Sequence, residues 1–255
     1  MNNTSSVKTV DRIVRVLDCF SVEQPAWSLT ELGDHLALPK STIHRFLTSL
    51  EIHGILRREP SDRRWRLGYR LVTWGERAAA SSDLRHISRP IMQDLVDKTD
   101  ETVVLTVYQD QEVVCIEKAE TSHSVRLKLD VGTRHPLHAG ASSKILTAYL
   151  PEEEIHAIAY DQELPRICTN TITDPDNLVA ELAKIREQGY AKSIEETDPG
   201  AWGVATPIYT GNGDPAAAIG IVGPSLRFSE ELVQQYVTVC QQAARRISML
   251  LGGKS

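Results

Sequence analysis

Apolar residues near the start of the chain follow a helical spacing. Val10, Ile13, Val14 and Leu17 stand at positions i, i+3, i+4 and i+7, which places them on one face of an α-helix. The pattern predicts a first helix that ends near Phe20 and buries this stripe.

The segment SLTELGDHLAL predicts a short second helix. Ser28 and Glu31 have the spacing of a capping box, in which each side chain accepts a hydrogen bond from the backbone N–H of the other residue. Leu29, Leu32 and Leu36 recur on one side and predict its buried face.

A third helix is predicted to begin at Pro39, because proline suits the first turn, where its missing N–H would be unpaired anyway. Its apolar residues again follow the helical spacing and predict an inward face: Ile43, Phe46, Leu47 and Leu50. The opposite face carries short polar and cationic side chains: Ser41, Thr42, Arg45, Thr48 and Ser49.

Gly54 is placed to end the third helix, and the segment ILRREPSDRRWRL then predicts two short strands around a turn at residues 60–62. Three short helices, a tight turn before the third, and a basic hairpin together describe a winged helix-turn-helix.

The charge distribution sets the first part of the chain apart. The whole chain has a formal net charge of −6. Residues 1–75 contain 11 Lys and Arg against 8 Asp and Glu, or +3, and the remaining 180 residues contain 17 against 26, or −9. A local basic region on an acidic protein indicates a specific anionic partner.

The basic region and the exposed helix face together predict contact with double-stranded DNA, because a helix of this kind fits the major groove and arginine matches phosphate and guanine edges. The predicted DNA-binding residues are Lys40, Ser41, Thr42, His44, Arg45, Thr48, Arg57, Arg58, Arg63, Arg64 and Arg66. The alternative is a solvated hairpin of arginines, with Ser41 and Thr42 satisfying only the first N–H groups of the helix.

The segment from residue 69 to residue 100 predicts a linker helix, a break and a further helix. Leu71, Trp74 and Ala78 share one side of the linker, Ser81-Ser82-Asp83 interrupts it, and apolar positions from Ile87 to Val96 continue the helical spacing.

The remaining residues predict a mixed α and β domain with an antiparallel sheet. Alternating apolar runs predict strands in TVVLTVYQ, EVVCIEKAE and SVRLKLD, and later at 189–195, 203–209 and 216–223, with a hairpin turn at 211–214. Helices are predicted near 141–150, 152–160 and 175–188, and a long final helix is capped by Ser229.

The composition adds information only on the cell compartment, on membrane spans and on disulfides. The chain is 41% hydrophobic and 24% charged, and no stretch resembles a signal peptide or a membrane span, so we expect a cytoplasmic protein with no membrane partner. Its four cysteines are widely separated and predict free thiols rather than disulfides.

Along nearly its full length the chain resembles the IclR family of bacterial transcriptional regulators. The stretches that carry the resemblance include TVDRIVRVLDCF, SLTELGDHLALPKSTIHRFLTSLEIHGIL, RRWRLGYRLVTWG, VGTRHPLHAGASSKILTAYLP and GYAKSIEETDPGAWGVATPIY. The resemblance implies an α+β fold with three parts: a winged helix-turn-helix at 1–69, a linker helix at 70–83 and a GAF-like α/β effector-binding domain at 84–255. It also implies homodimers or dimers of dimers.

The resemblance further implies a small-molecule pocket bounded by residues 138–144, 193–203 and 219–223. The implied effector-binding residues are Leu137, His138, Ala139, Gly140, Ala141, Ser142, Ser143, Ser193, Trp202, Gly203, Ile219, Gly220 and Val222. The chain departs from the family pattern, which often has Asp at the position of Ser193, Arg-Cys at Trp202-Gly203, Gly at Ser143, and small polar residues near Gly220 and Val222. These departures predict a less polar, roomier pocket.

The stretch HAGASSKILTAYL also suggests an anion site by its own chemistry. A helix that opens near Ala141 presents unpaired N–H groups beside the hydroxyls of Ser142 and Ser143, which suits a carboxylate. The alternative is that the two serines only cap the helix and pack against the sheet. Trp202 is either an aromatic wall of the pocket or an anchor for its loop.

Catalytic and metal-binding patterns are weak. The chain has no G-x-S-x-G, and GASSKI departs from a phosphate-binding loop, so we predict no enzyme and no cofactor. His135 and His138 have H-x-x-H spacing, which His123 or Cys115 could complete, but one exposed and one core or pocket histidine is the favoured interpretation.

The sequence therefore predicts a ligand-responsive transcription factor. A dimer would bind a palindromic operator, and a small organic effector, a carboxylate or aromatic acid, would shift the placement of its two DNA-binding domains. The alternatives are an enzyme or small-molecule-binding protein that uses its N-terminal helices for dimerisation, and an architectural DNA-binding protein with a vestigial sensor domain.

Overall fold

The computed structural model describes residues 7–80, 83–210, 213, 215–227 and 229–252. The chain divides into two compact units, residues 1–81 and 82–255. The helices are α1 Lys8–Asp18, α2 Leu29–Leu36, α3 Lys40–Ile52, α4 Tyr69–Ala80, α5 Asp83–Thr99, α6 Ala141–Thr147, α7 Glu152–Tyr160, α8 Pro175–Gln188 and α9 Glu230–Leu250, with a 3-10 turn at Ser225–Arg227. The strands are β1 Leu56–Arg58, β2 Trp65–Leu67, β3 Thr102–Gln109, β4 Glu112–Ala119, β5 Arg134–His135, β6 Ala191–Ile194, β7 Ala201–Tyr209 and β8 Pro215–Pro224.

The first unit is a helix-turn-helix followed by a two-stranded wing. The predicted capping box of α2 is present: the hydroxyl of Ser28 accepts from the N–H of Glu31, whose carboxylate accepts from the N–H of Ser28. The turn between α2 and α3 passes through Ala37 in the left-handed conformation. β1 and β2 pair in antiparallel register, and Leu56 and Trp65 of this hairpin enter the core.

Gly54 and Gly68 join the wing to its flanking helices through a close backbone approach. Gly54 follows α3 with a φ of 68°, a left-handed conformation that glycine adopts readily. The N–H of Gly68 donates to the carbonyl of Ile55, and a Cβ at Gly68 would lie only 2.2 Å from the carbonyl oxygen of Gly54. The prediction that Gly54 ends the third helix is therefore confirmed.

Helix α1 buries a different face from the predicted one. Val10 and Val14 are 55% and 47% exposed, whereas Val16 is fully buried and Ile13 and Leu17 pack partly against the core. The helix is rotated because Ile13, Val16, Leu17 and the following Phe20 make an equally regular apolar stripe, and this stripe faces the core.

The second unit is a three-layer structure around one antiparallel sheet, with strand order β5-β4-β3-β8-β7-β6. α5 and α9 pack on one face of the sheet, in a core that includes Leu105 and Ile219. α6, α7 and α8 pack on the other face, in a core that includes Val113 and Ala218. The predicted α+β fold class is confirmed.

The predicted strand in SVRLKLD is wrong. Residues 124–130 form an irregular loop, and the strand that pairs with β4 is the later β5. The loop carbonyls are held by cations from elsewhere: Arg227 donates to the carbonyl of Val125, and Lys118 donates to that of Leu129. The alternation of Leu127 and Leu129 instead turns both side chains toward a cavity.

Other boundaries differ by a few residues. β7 begins at Ala201, so Trp202 and Gly203 lie in a strand opposite Ile194 and Ser193 of β6. The predicted hairpin turn at 211–214 falls outside the described residues except for Gly213, and the predicted break at Ser81-Ser82 also lies outside them.

Candidate DNA-binding face and effector cavity

α3 turns one side to the core and the other to solvent. Ile43, Leu47 and Leu50 are buried. Of the predicted groove residues, Lys40, Ser41, His44 and Arg45 are exposed, and Thr42 and Thr48 are half-buried. Within the described part of the chain, the side chains of Lys40, His44 and Arg45 have no hydrogen-bond or ion-pair partner, so this cationic face is free to contact another molecule.

The wing arginines are more constrained than their exposure suggests. Arg57 pairs with Glu59 at 2.5 Å, and Arg66 pairs with Asp62 at 2.9 Å. Arg58 lies 4.6 Å from the centre of the Trp65 ring, and its Nε donates to the carbonyl of Arg63.

Arg64 is bound to the helix-turn-helix rather than projecting from the tip of the wing. Its two terminal nitrogens contact the two carboxylate oxygens of Glu31 at 2.8 and 2.7 Å, and one of them also donates to the carbonyl of Ala26. The backbone hydrogen bond from Ser28 and the Arg64 guanidinium together lower the pKa of Glu31 to about 2. Arg64 therefore holds the wing to α2.

Arg63 is the least constrained of the predicted wing cations. It is exposed and adopts a φ of 54° at the tip of the hairpin, where its N–H donates to the carbonyl of Glu59. Its guanidinium has no partner among the described residues.

A cavity in the second unit lies between the start of α6, the β6–β7 region and the 121–131 loop. The cavity volume is about 70 Å³, and the space including the open mouth is about 590 Å³. It brings together nine of the predicted effector residues: Ala139, Gly140, Ala141, Ser142, Ser143, Ser193, Trp202, Gly203 and Val222.

Four predicted effector residues lie outside the cavity wall. Leu137 is buried and accepts a hydrogen bond from Thr147, and Nε2 of His138 lies 3.0 Å from the carbonyl oxygen of Pro165. Ile219 belongs to the core on the opposite face of the sheet. Gly220 lies beneath Ser142, since a Cβ there would be 3.2 Å from the serine hydroxyl oxygen.

Sequence reasoning missed part of the wall. The added residues are Val104, Thr106, Leu127, Leu129, His135, Thr197, Asp198 and Ala201. Thr197, Asp198 and Ala201 lie inside the 193–203 segment that the family resemblance implied. The alternating pattern predicts Leu127 and Leu129 in a strand, and the sequence favours His135 and His138 as one exposed and one core or pocket histidine without saying which is which.

Lys144 points away from the cavity although it lies on α6. Its ammonium is buried and contacts Glu196 at 2.6 Å, Glu181 at 3.3 Å and the carbonyl of Lys192 at 3.0 Å. Two carboxylates already balance this charge, so Lys144 is not available to neutralise an anionic ligand.

His135 is the one histidine of the described cavity wall. Burial lowers its pKa, and the nearby carboxylate of Asp198 opposes this effect. The imidazole is therefore neutral near pH 7. Within the described part of the chain, no group of three or more His, Cys, Asp and Glu side chains is placed to hold a metal ion.

The buried cysteines have little thiolate character. Burial raises the pKa of Cys115 to about 11 and that of Cys240 to about 12. Both thiols are protonated at neutral pH, which disfavours oxidation chemistry at these positions.

Comparison with known proteins identifies the family. A model of the IclR helix-turn-helix domain matches residues 9–60, and a model of the C-terminal domain of the bacterial transcriptional regulator IclR matches residues 76–249. The chain belongs to the IclR family. The predicted resemblance is therefore confirmed, and the protein is a helix-turn-helix transcriptional regulator with a C-terminal effector-binding domain.

Individual IclR-family proteins are similar over almost the whole chain. The regulator KipR of Bacillus subtilis is 34% identical over 96% of this chain and 97% of its own length. The regulator KdgR of Escherichia coli is 32% identical, with 99% and 98% covered. An IclR homologue from Microbacterium hydrocarbonoxydans, solved in complex with 4-hydroxybenzoate, is 30% identical, with a TM-score of 0.84 and 95% and 98% covered.

These relatives are transcriptional regulators rather than enzymes, so the enzyme alternative is set aside. Among the described residues, no helix combines the length and apolar character that a membrane crossing requires.

Proposed function

We propose that the chain is an effector-responsive regulator of a catabolic or metabolic operon, acting as a repressor or an activator. It binds a palindromic operator as a dimer or a dimer of dimers. A small organic acid in the cavity changes its affinity for that operator. The observation that carries this proposal is the cationic face of α3, where Lys40, His44 and Arg45 are free of internal partners in the described chain.

The DNA-binding geometry follows from α3 and the wing. Arg45 and the hydroxyls of Ser41 and Thr42 suit base edges and phosphates in the major groove. Arg63 at the tip of the wing suits a phosphate or the adjacent minor groove. Two copies related by a two-fold axis would read two half-sites of one palindrome.

The effector assignment follows from the chemistry of the cavity. Val104, Leu127, Leu129 and Val222 supply apolar walls, and Trp202 contributes to the lining although it packs in the core beside α5 and α9. The hydroxyls of Ser142 and Ser143 lie at the start of α6, which has only seven residues, so these hydroxyls rather than a helix dipole are the main donors for a carboxylate. The chemistry of these walls matches a small acid with an apolar or aromatic body, and the Microbacterium relative was solved in complex with 4-hydroxybenzoate.

Regulation requires that the effector favour one arrangement of the two DNA-binding units of a dimer. A coupling free energy of about 1–3 kcal/mol would change operator affinity by roughly 5- to 150-fold. The linker helix α4 is the segment that would transmit this change.

The operator can be found by in vitro selection from random duplex DNA with the purified full-length chain. Enrichment of one palindromic sequence, bound with a steep dependence on salt, is the expected result. Selection of no sequence above background would contradict the proposal. The mass of the protein–DNA complex, measured by light scattering, gives the number of subunits.

The effector can be sought by thermal shift across a library of organic acids and their amides, followed by operator titrations with each acid that binds. An acid that raises the unfolding temperature and changes operator affinity supports the proposal. A chain that binds the operator but responds to no acid in the library would favour the architectural alternative.

A further inference from the structure

Two polar side chains of the cavity wall have chemistry that the carboxylate site does not use. His135 projects from β5, where it is paired with Val113 of β4, and Asp198 lies in the turn between β6 and β7. Within the described chain, neither ring nitrogen of His135 and neither carboxylate oxygen of Asp198 has a hydrogen-bond partner. Both groups are therefore available to a ligand in the cavity.

The charges around the cavity limit what that ligand can be. No lysine or arginine lines the described wall, and Lys144 behind it is occupied by Glu181 and Glu196. Asp198, which is an exposed residue, is the one acidic side chain of the described wall, and it disfavours a second carboxylate of the ligand beside it.

The hydrogen-bonding capacity of the pair matches a hydroxyl group. A neutral imidazole offers one donor and one acceptor, and a carboxylate offers only acceptors. A ligand hydroxyl can donate to Asp198 and accept from His135. A purely apolar ligand body would cover these groups without replacing their bonds to water, which is unfavourable. An ammonium offers donors but no acceptor, so it could not accept a hydrogen bond from the imidazole N–H of His135.

We propose that His135 and Asp198 are specificity-determining residues that select a hydroxyl group on the effector. The effector class is then a hydroxylated monocarboxylic acid. This inference rests on the proposed function only in assigning an organic acid to the cavity.

Calorimetry on the full-length chain tests the proposal with four probes: benzoate, 3-hydroxybenzoate, 4-hydroxybenzoate and 4-(aminomethyl)benzoate. The variants are His135→Phe and Asp198→Ala. Asp161→Ala removes an exposed carboxylate that lies outside the cavity wall, and it serves as the matched control. The measured quantity is the ratio of affinities for the better hydroxybenzoate and for benzoate, which does not depend on the fraction of folded protein.

The wild type and Asp161→Ala are expected to prefer the hydroxylated acid by about tenfold or more, the size of one hydrogen bond to a charged group. Each of the two cavity variants is expected to reduce the ratio to roughly threefold or less. An unchanged ratio in both cavity variants, or tightest binding of the ammonium-bearing acid, would overturn the proposal.

The outcomes also separate this inference from the proposed function. Equal binding of benzoate and both hydroxybenzoates by the wild type would overturn the role of the pair and leave an acid effector in place. Binding of none of the acids, with operator binding intact, would overturn the hydroxylated-acid class and leave the DNA-binding function standing.

Discussion

Lys144 and Glu196 form a buried ion pair that joins two sides of the cavity wall. Nζ of Lys144 lies 2.6 Å from Oε1 of Glu196, and Oε2 of Glu196 accepts a hydrogen bond from the N–H of Gly140 at 2.9 Å. The carbonyl of Glu196 also accepts from Thr171. One glutamate therefore fixes the start of α6 against the segment that follows β6, and the cavity lies between them.

Replacing Lys144 with methionine should destabilise the second unit. The substitution leaves the carboxylate of Glu196 buried without its cation, and breaking a buried pair in this way typically costs about 3–5 kcal/mol. Urea unfolding followed by circular dichroism measures the decrease in stability. Lys192→Met is the control, since the ammonium of Lys192 is 3.8 Å from an exposed Glu230, and its effect should stay below about 1 kcal/mol. Equal destabilisation in the two variants would contradict a structural role for the buried pair.

Arg45→Ala should weaken binding to the selected operator by roughly 1–3 kcal/mol and relax the preference at one base step, as expected when a bidentate hydrogen bond to a base is removed. Fluorescence anisotropy with the operator and its single-base variants measures both effects. Uniform weakening with the same sequence preference would assign Arg45 to a phosphate instead. Unchanged affinity would remove it from the interface.

Arg63 and Arg64 should behave differently although they are neighbours. Arg63→Ala should make the slope of log K against log salt shallower by about 0.9 for each phosphate that is no longer neutralised, counted over both subunits. Arg64→Ala should instead lower the stability of the first unit, because it releases Glu31 and the carbonyl of Ala26. Salt titrations of operator binding and urea unfolding separate the effects. An unchanged slope in Arg63→Ala would show that the tip of the wing faces solvent in the complex.

Glu31 should make the stability of the first unit depend on acid pH. Its pKa falls from 4.5 to about 2 on folding, so the folded state binds a proton less readily than the unfolded state. The stabilisation is fully present above about pH 4.5 and disappears as the pH falls toward 2. In Glu31→Gln this part of the pH dependence should be absent from urea unfolding curves. Asp34→Asn changes a carboxylate of the same helix without a described side-chain hydrogen bond and is the control; an equal effect of both changes would contradict the assignment.

The elements that sequence predicts well are those that several signals support together. α3 has a regular apolar stripe, Pro39 before it and Gly54 after it, and all of these signals agree. α1 has two overlapping stripes, one through Val10 and Val14 and one through Val16, and only packing against the other helices selects between them. The pattern alone could not assign its buried face.

The candidate site was predictable only in part, because its missing residues depend on long-range contacts. The sequence predicts Arg64 as a free cation of the wing. The structure shows that it binds Glu31, which lies 33 residues earlier in the chain. Alternating Leu127 and Leu129 resemble a strand, yet they line a cavity. His135 and Asp198 are 63 positions apart, and no local pattern connects them.

The serines at the start of α6 should determine affinity for the acid group of the effector. Ser142→Ala combined with Ser143→Ala removes two hydroxyl donors, each worth roughly 1.5–3 kcal/mol to a charged group, and keeps the backbone N–H groups. Affinity for the acid found in the screen should therefore fall about tenfold or more, while operator binding without effector should stay nearly the same. Calorimetry with the acid and its amide, and operator titrations of the double variant, measure both effects. Ser122→Ala in the exposed part of the 121–131 loop is the control. Equal wild-type affinity for acid and amide would contradict a carboxylate site, and failure of the double variant to bind the operator would show that the two serines maintain the fold.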